Sequence, residues 1–573
     1  MAPARVLVIA GSDSSGGAGL EADQKVIAAH GCYAMTATTA LTAQNTKGVY
    51  GIHLVPPEFL KKQIDAVIED VGVDVVKTGM LASAETIEVI AQALEQHNVS
   101  TVVLDPVNIH PLPSLPSDSL AYGELTLRCA AQVMIATTGA QLLPPEALHI
   151  LRARLLPRAN IVTPNVPEAL LLLSDNSSSS HIATTTPAAV SNVGDLETLA
   201  RAIRRLGPKW VLVKGGHCPF RKDGTAARAE NERELVVDVL VGEGDGGTEE
   251  AAEVVLRVET EYCDSTNTHG TGCSLASAIA SNLAKGMDMP AAVRAGCRYV
   301  HVGIRTAPGL GGGNGPLNHF HSVYALPFSR GHFIDYLLER PDVAPVWDRF
   351  VNHPFVLAMG DGTLPIESFK GYLIQDYLYL THFARANALA SYKAGTMKDI
   401  AASAAIVTHI FREMELHIGY CAGFGISREE MEKTEEKGAC TAYTRYVLDI
   451  GQSQDWLGLQ VAMAPCLLGY GAIARQLHAD PRSKREGNLY WTWIENYVAD
   501  DYTTAVKTGS ELLERHAVLQ SVPRIEELVK IFIHATKVSC WVYWLDVPLD
   551  AGWTLTRLGL QMEIAFWEMY SAS

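Results

Sequence analysis

The feature that most constrains the fold of this 573-residue chain is a change of texture near residue 320. Before it, short β-branched runs at 6–10, 73–78, 101–104, 161–163 and 210–213 each lead into a turn or polar motif and alternate with helical patterns. That is βαβ rhythm, and runs without in/out alternation predict strands buried on both faces of a mainly parallel sheet. After about residue 325 the pattern becomes long and helical, rich in Ala, Leu, Glu and aromatics, with Pro and Gly only at junctions, which predicts an all-α bundle. Five glycines within 309–315 precede the break and suit a turn or flexible joint. The expected organisation is an α/β domain over 1–318, a linker over 319–330 and a helical domain over 331–573. The stretches 174–193 and 242–253 are polar or acidic and read as surface loops.

Charge narrows the partners. With 63 Asp+Glu against 46 Lys+Arg, a net −17, the chain repels phosphate backbones and anionic lipid, so neither nucleic acid nor membrane is an expected partner. ATP is still compatible, because backbone amides, a few cations and Mg2+ supply positive potential locally. Ten cysteines without a CxxC or a Cys/His cluster at zinc spacing predict reduced thiols rather than a disulfide framework or structural metal. The first apolar run lasts five residues, too short for a signal peptide, and no stretch approaches the roughly 18 apolar residues of a membrane span. The expected location is the cytoplasm.

In the first half, Gly270-Thr271-Gly272-Cys273-Ser274 runs into an apolar helical pattern and places backbone N–H groups at a helix N-terminus, an anion hole for a transferring phosphoryl group. A cysteine there has its pKa lowered by the dipole, so Cys273 could act as base toward a hydroxyl; the alternative is a glycine turn before a packed helix with a buried thiol. Asn165 and Glu168, one helical turn apart after a strand, suit hydrated Mg2+, or equally a helix cap with a first-turn acid. Lys214-Gly215-Gly216 permits close approach to phosphate, or is a plain glycine turn.

With the glycine loop 11–19, Gln44-Asn45-Thr46 and Asp105-Pro106-Val107, these motifs resemble the hydroxymethylpyrimidine and phosphomethylpyrimidine kinases of thiamin synthesis, within the ribokinase-like superfamily. The resemblance implies a ribokinase-like fold and ATP and Mg2+ as cofactors. Gly11, Asp23 and Gln44 would contact the pyrimidine, and Lys214, Gly270, Thr271 and Gly272 the phosphates. Asp105, Asn165 and Glu168 would form the metal site, with Cys273 catalytic. A side-chain amide matches the donor and acceptor of an aminopyrimidine edge, which is chemical support for Gln44. The same anion hole and metal motifs fit a pyridoxal-type kinase, since they do not choose the ring.

In the second half, Asp376 and Tyr379 share a helix face, as do Cys466 and Tyr470 beyond the helix-disrupting Pro465. Core packing explains either pair taken alone. With Trp493 to Tyr497 and Met562 to Met569 they resemble the thiaminase II family. That resemblance implies Cys466 as nucleophile on the pyrimidine ring, Glu563 as ring-nitrogen acid and water activator, and Asp376 holding the aminopyrimidine edge. Tyr379, Tyr443, Tyr470, Tyr497 and Phe566 would line the pocket. It also suggests a homo-oligomer through the helical domain. The rival reading of this half is a pyrimidine-binding module without turnover.

Two segments interrupt these family patterns. Residues 107–132 separate Asp105-Pro106 from Val133-Met134, and 538–561 separate a helix ending at Lys537 from Met562-Glu563. Each begins Val-Asn or Val-Ser, holds Leu-Thr shortly before its end and closes on Gln, encodable as the donor, branch and acceptor signals of a short intron. The expectation is two in-frame retained introns; the alternative is genuine surface insertions, which loops tolerate.

Overall fold

The computed structural model describes residues 2–81, 83–106, 145–174, 189–244 and 253–541. The chain divides into two compact units, Met1–Val323 and Tyr324–Ser573.

The first unit carries β1 (Arg5–Ala10), β2 (Tyr33–Thr38), β3 (Ala40–Asn45), β4 (Gly48–Leu54), β5 (Val75–Thr78), β6 (Val102–Leu104), β7 (Ile161–Val162), β8 (Trp210–Val213), β9 (Leu235–Glu243) and β10 (Glu253–Glu261). Eight of these form one sheet in the order β10-β9-β8-β7-β6-β5-β1-β2, parallel from β2 through β8, with β9 and β10 antiparallel at one edge. β1 shows why the central runs lack alternation. Leu7 and Ile9 enter one apolar core while Val6, Val8 and Ala10 enter the core on the opposite face, so every position is apolar. Each such buried side chain contributes roughly 1.5–3 kcal/mol relative to exposure. The C-terminal ends of β1, β5, β6, β7 and β8 deliver Gly11, Gly79, Asp105, Thr163 and Lys214 to one edge, where ligands of parallel sheets bind.

Three expectations are corrected here. The ends of the stretch read as a loop over 242–253 belong to β9 and β10, paired Glu253 to Glu243. β3 and β4 form a separate antiparallel hairpin carrying Gln44 and Asn45, which the βαβ reading did not resolve. The glycine-rich segment 309–315 is no loose joint: Asn314 N–H donates to the Thr46 carbonyl at the hairpin tip at 2.9 Å.

The second unit is helical throughout the described residues, with long helices Ile366–Lys393, Met397–Gly423, Gly438–Ser453, Trp456–Ala479, Asp500–Ala517 and Val522–Trp541. Trp456–Ala479 is long and apolar enough to cross a membrane, contrary to the reading that no segment approaches that composition, but 72% of its most apolar window is buried. It is apolar on all sides because other helices surround it. It also continues through Pro465 rather than breaking there. Gly469 lies one turn on, where a Cβ would stand 2.2 Å from the ring of Phe350, so glycine is what admits that aromatic against the helix.

Candidate functional site

The first unit's site is assembled at the strand ends. Gly270, at φ 78°, caps the helix Thr271–Ala284. A Cβ there would lie 1.9 Å from the Gly17 carbonyl, so the anion-hole turn and the opening glycine loop are in backbone contact that only glycine permits. The same loop is organised by Asp13, whose carboxylate accepts from the N–H groups of Ser15, Gly17 and Ala18 and from His269 Nε2 at 2.7 Å. Burial raises this carboxyl's pKa, but the bonds from His269 and Ser15 outweigh it and hold it well below the usual carboxylate range. Gln44 reaches the same imidazole, 3.4 Å from Nε2. Sequence reasoning gave neither Asp13 nor His269 a role; they are 256 residues apart, and no local pattern links them.

Asp105 lies at the centre of a polar cluster. Its Oδ1 accepts from Thr163 Oγ1 at 3.0 Å and Lys214 Nζ at 3.1 Å, while Lys214 stands 3.9 Å from Glu168 Oε2. Burial disfavours the Lys214 ammonium, but Asp105 and Glu168 outweigh it and raise its pKa. Burial pushes the Glu168 carboxyl up to about 7 despite Lys214, with Asp105 adding to the rise. Asp105 Oδ2 is buried without a hydrogen-bond partner among the described residues, and it lies 3.7 Å from where Gly272 would carry a Cβ. An orphaned carboxylate oxygen facing an anion hole fits a cation shared with phosphate oxygens. Among the described residues no group of three His, Cys, Asp or Glu side chains could hold a metal by itself.

Four readings change at these positions. Asn165 is spent on the helix Val166–Leu173: its Oδ1 accepts from Glu168 N–H and Glu168 Oε2 accepts from Asn165 N–H, a reciprocal capping box. Asp23 has no exposure; its oxygens meet Lys77 Nζ at 2.9 and 3.0 Å and Ser277 Oγ at 2.7 Å. Burial raises the Asp23 pKa against the pull of Lys77 and Ser277, and also opposes the Lys77 ammonium, which Asp23 nevertheless holds protonated. Cys273 at the helix N-terminus was expected to have a lowered pKa, but burial pushes the thiol up to about 12, with Lys77 the strongest opposing influence. Gly215 is required by packing rather than by phosphate, since a Cβ would meet the Val237 carbonyl of β9 at 2.0 Å.

In the second unit, Asp376, Tyr379, Tyr443, Cys466 and Tyr470 converge on one pocket, joined by Phe350 and Ser539. Its empty volume is about 310 Å3 including the open mouth. Tyr379 and Tyr443 stack 5.4 Å apart at 5°, and Tyr497 packs behind Tyr470 with ring centroids 5.3 Å apart rather than lining the pocket itself. Burial pushes the Cys466 thiol up to about 12, opposed by a hydrogen bond from Tyr379. Asp376 is buried, which raises its pKa, while His417 opposes that rise with Nδ1 3.9 Å from the carboxylate. His417 Nε2 faces the Leu373 carbonyl at 3.1 Å, an acceptor only, so Nε2 carries a proton there. At 3.9 Å, His417 Nδ1 is a neighbour of the Asp376 carboxylate and not its hydrogen-bond partner. Phe350, His417 and Ser539 were missed; the helical glycine Gly469, which makes room for Phe350, was the available signal. Glu563 and Phe566 lie outside the described residues, as do 107–132 and most of 538–561.

Comparison with known proteins agrees with this division. Residues 13–111 and 129–318 match the phosphomethylpyrimidine kinase family, and residues 340–547 match the TENA/THI-4/PQQC family. A Schizosaccharomyces pombe protein provisionally named hydroxymethylpyrimidine/phosphomethylpyrimidine kinase 2 is 39% identical over 94% of this chain and 90% of its own. Hydroxymethylpyrimidine/phosphomethylpyrimidine kinase THI20 of Saccharomyces cerevisiae is 31% identical over 93% of this chain and 94% of its own. A solved phosphomethylpyrimidine kinase of Clostridium difficile is 34% identical, covering 52% of this chain and 98% of that one at a TM-score of 0.36. The chain therefore belongs to the phosphomethylpyrimidine kinase family, in the two-domain form that carries a TENA/THI-4/PQQC unit after the kinase.

Proposed function

We propose that the first unit transfers the γ-phosphoryl group of ATP to the hydroxymethyl oxygen of 4-amino-5-hydroxymethyl-2-methylpyrimidine, and then to the resulting monophosphate. The second unit hydrolyses thiamin or aminopyrimidine breakdown products and so supplies the same pyrimidine. The observation that carries the kinase reading is the orphaned Asp105 oxygen facing the Gly270–Cys273 anion hole, with Lys214 and Glu168 beside it. The backbone amides of that turn stabilise charge on the phosphoryl oxygens, and Lys214 neutralises part of the remainder. Cys273 Sγ, once deprotonated, takes the hydroxyl proton as the new P–O bond forms and the bond to ADP breaks; burial opposes that thiolate and Lys77 is the strongest influence in its favour. Asp105 and Glu168 are the residues that would hold magnesium, which would supply positive charge against the transferring phosphoryl group. Gln44 reads the pyrimidine edge. The pyridoxal-type alternative has no support from the family matched.

In the second unit Cys466 attacks the ring and the stacked Tyr379 and Tyr443 hold it flat. Asp376, with His417 beside it, holds the amino edge. Support for a homo-oligomer lies on the helix Met397–Gly423, where Met397 and Phe411 are 77% and 72% exposed. The cytoplasm remains the proposed location.

The test is ATP- and Mg2+-dependent phosphorylation of hydroxymethylpyrimidine by the purified chain beside one lacking 107–132 and 538–561, with aminopyrimidine hydrolysis assayed on the same samples. The kinase-family match skips 112–128, which supports treating the first segment as an interruption; the TENA/THI-4/PQQC match runs on to 547, and the helix Val522–Trp541 continues past Lys537 and brings Ser539 to the pocket, so the start of the second segment belongs to the helical unit. Activity only in the shortened chain supports retained introns, and activity in both makes the segments insertions. Activity in neither, with turnover of pyridoxal instead, overturns the substrate.

A further inference from the structure

The segment 309–315, between the last helix of the first unit and the second unit, touches two parts of the kinase site at once. At one end it clasps the hairpin tip: Asn314 N–H donates to the Thr46 carbonyl at 2.9 Å and Gly313 N–H to Thr46 Oγ1 at 3.3 Å. The fit leaves no room for side chains. A Cβ on Gly313 would stand 2.2 Å from the Thr46 carbonyl oxygen, and one on Gly311, at φ 84°, 2.4 Å from Thr46 Oγ1. At the other end it reaches the anion-hole turn. His269 N–H donates to the Gly315 carbonyl at 3.1 Å, and His269 pairs with Pro316 in a parallel bridge. Pro316 in turn lies 3.2 Å from where Gly17 of the opening loop would carry a Cβ. A Cβ on Gly315 would stand 2.2 Å from Asn267 Oδ1, so this end is as tightly seated as the first.

Thr46 lies two residues after Gln44, and His269 immediately precedes the Gly270 turn. From this geometry we infer that 309–315 is a strap that fixes the pyrimidine-reading hairpin relative to the phosphate-binding turn, with Thr46 and Gly313 as its positioning residues. Among the described residues the β3–β4 hairpin pairs with no strand of the main sheet; Ser12 and Ser14 of the opening loop tie β3 at Thr42 and Gln44, and beyond Gln44 the tip at Thr46 is held by 309–315. The strap sets the position of the ring contact relative to the phosphoryl contact, which makes the pyrimidine Michaelis constant sensitive to residues that never touch it. Glycine serves because the two backbones meet closer than any Cβ allows.

The inference rests on the kinase reading, and the experiment separates the two. Thr46→Val keeps the shape and removes the hydroxyl acceptor; Gly313→Ala drives the backbones apart. Both are compared with the unaltered full chain, and with the chain lacking 107–132 and 538–561 where only that form is active. The readouts are KM for hydroxymethylpyrimidine, KM for ATP, and hydrogen exchange at the amides of 313, 314 and the hairpin. The strap predicts a pyrimidine KM raised about fivefold in Thr46→Val, the loss of one hydrogen bond, and kcat/KM lowered on the order of 100-fold in Gly313→Ala, with ATP KM within twofold. Faster exchange over 40–54 accompanies both changes without a shift in the melting temperature. Pyrimidine KM within twofold of the parent in both variants, or unchanged hairpin exchange, overturns the strap while the parent's activity upholds the kinase. A parent that does not phosphorylate the pyrimidine overturns the kinase reading, and the exchange data then decide the strap alone.

Discussion

Replacing Asp23 separates two accounts of the same residue. Family resemblance makes it a pyrimidine contact, whereas the structure buries it completely against Lys77 and Ser277. At 2.9 Å and an effective dielectric of about 20 the Asp23–Lys77 attraction is roughly 6 kcal/mol, most of which offsets the desolvation of two ions. The intact pair therefore adds little net stability, but removing one member leaves the other charge buried, at a cost of about 3–5 kcal/mol. Asp23→Leu and Lys77→Met should each lower the kinase unit's melting transition by on the order of 10 °C. The double variant, with no charge left inside, should recover more than half of that loss. Scanning calorimetry measures this, with the helical unit's transition as an internal control. If Asp23→Leu melts within about 1 °C of the parent while the pyrimidine KM climbs, the ion-pair account fails and Asp23 is a ligand contact after all.

Other perturbations follow from the geometry. His353 accepts from Phe355 N–H through Nδ1, and burial lowers its pKa to about 4. A depressed histidine binds fewer protons folded than unfolded, so its stabilisation is full above about 6.5 and is lost as pH falls from there towards 4. The expected loss in the helical unit is about 2 kcal/mol by about pH 5, read from urea midpoints, and His353→Asn, which keeps a capping acceptor, should flatten the profile. Gly469→Ala places a methyl 2.2 Å from Phe350; it should cost about 1–3 kcal/mol, push that ring into the pocket and abolish aminopyrimidine hydrolysis while kinase activity is unchanged. Asp105→Asn should raise the Mg2+ concentration needed for half-maximal kinase activity by about tenfold or more, a loss of the charge-assisted contact measurable by metal titration.

The parallel strands were legible because burial on both faces leaves an unbroken apolar run, as in β1. β9 and β10 were not, because Asp238, Arg257 and the glutamates of β10 interrupt the apolar residues of an edge pair. The helical half was legible from texture alone, and five of its predicted pocket residues meet in one cavity. Misreadings at Asp23 and Asn165 share one cause. A polar residue's role is set by its partner, and Lys77 and Ser277 lie 54 and 254 residues from Asp23. At Asn165 the partner was in view three residues on, but a capping box and a metal pair share the same spacing. The expected low pKa of Cys273 considered the helix dipole without the burial that outweighs it.

Cys273 and Cys466, proposed as base and nucleophile, are alike in that burial pushes each thiol up to about 12. A thiol in that range is almost entirely protonated at neutral pH, and only the thiolate reacts quickly with peroxide or alkylating agents. Burial therefore makes these two sulfurs slow to oxidise, whatever chemistry each performs once substrate is bound. Iodoacetamide should label neither Cys273 nor Cys466 rapidly in the resting protein, and rapid labelling of either would overturn the account of its burial.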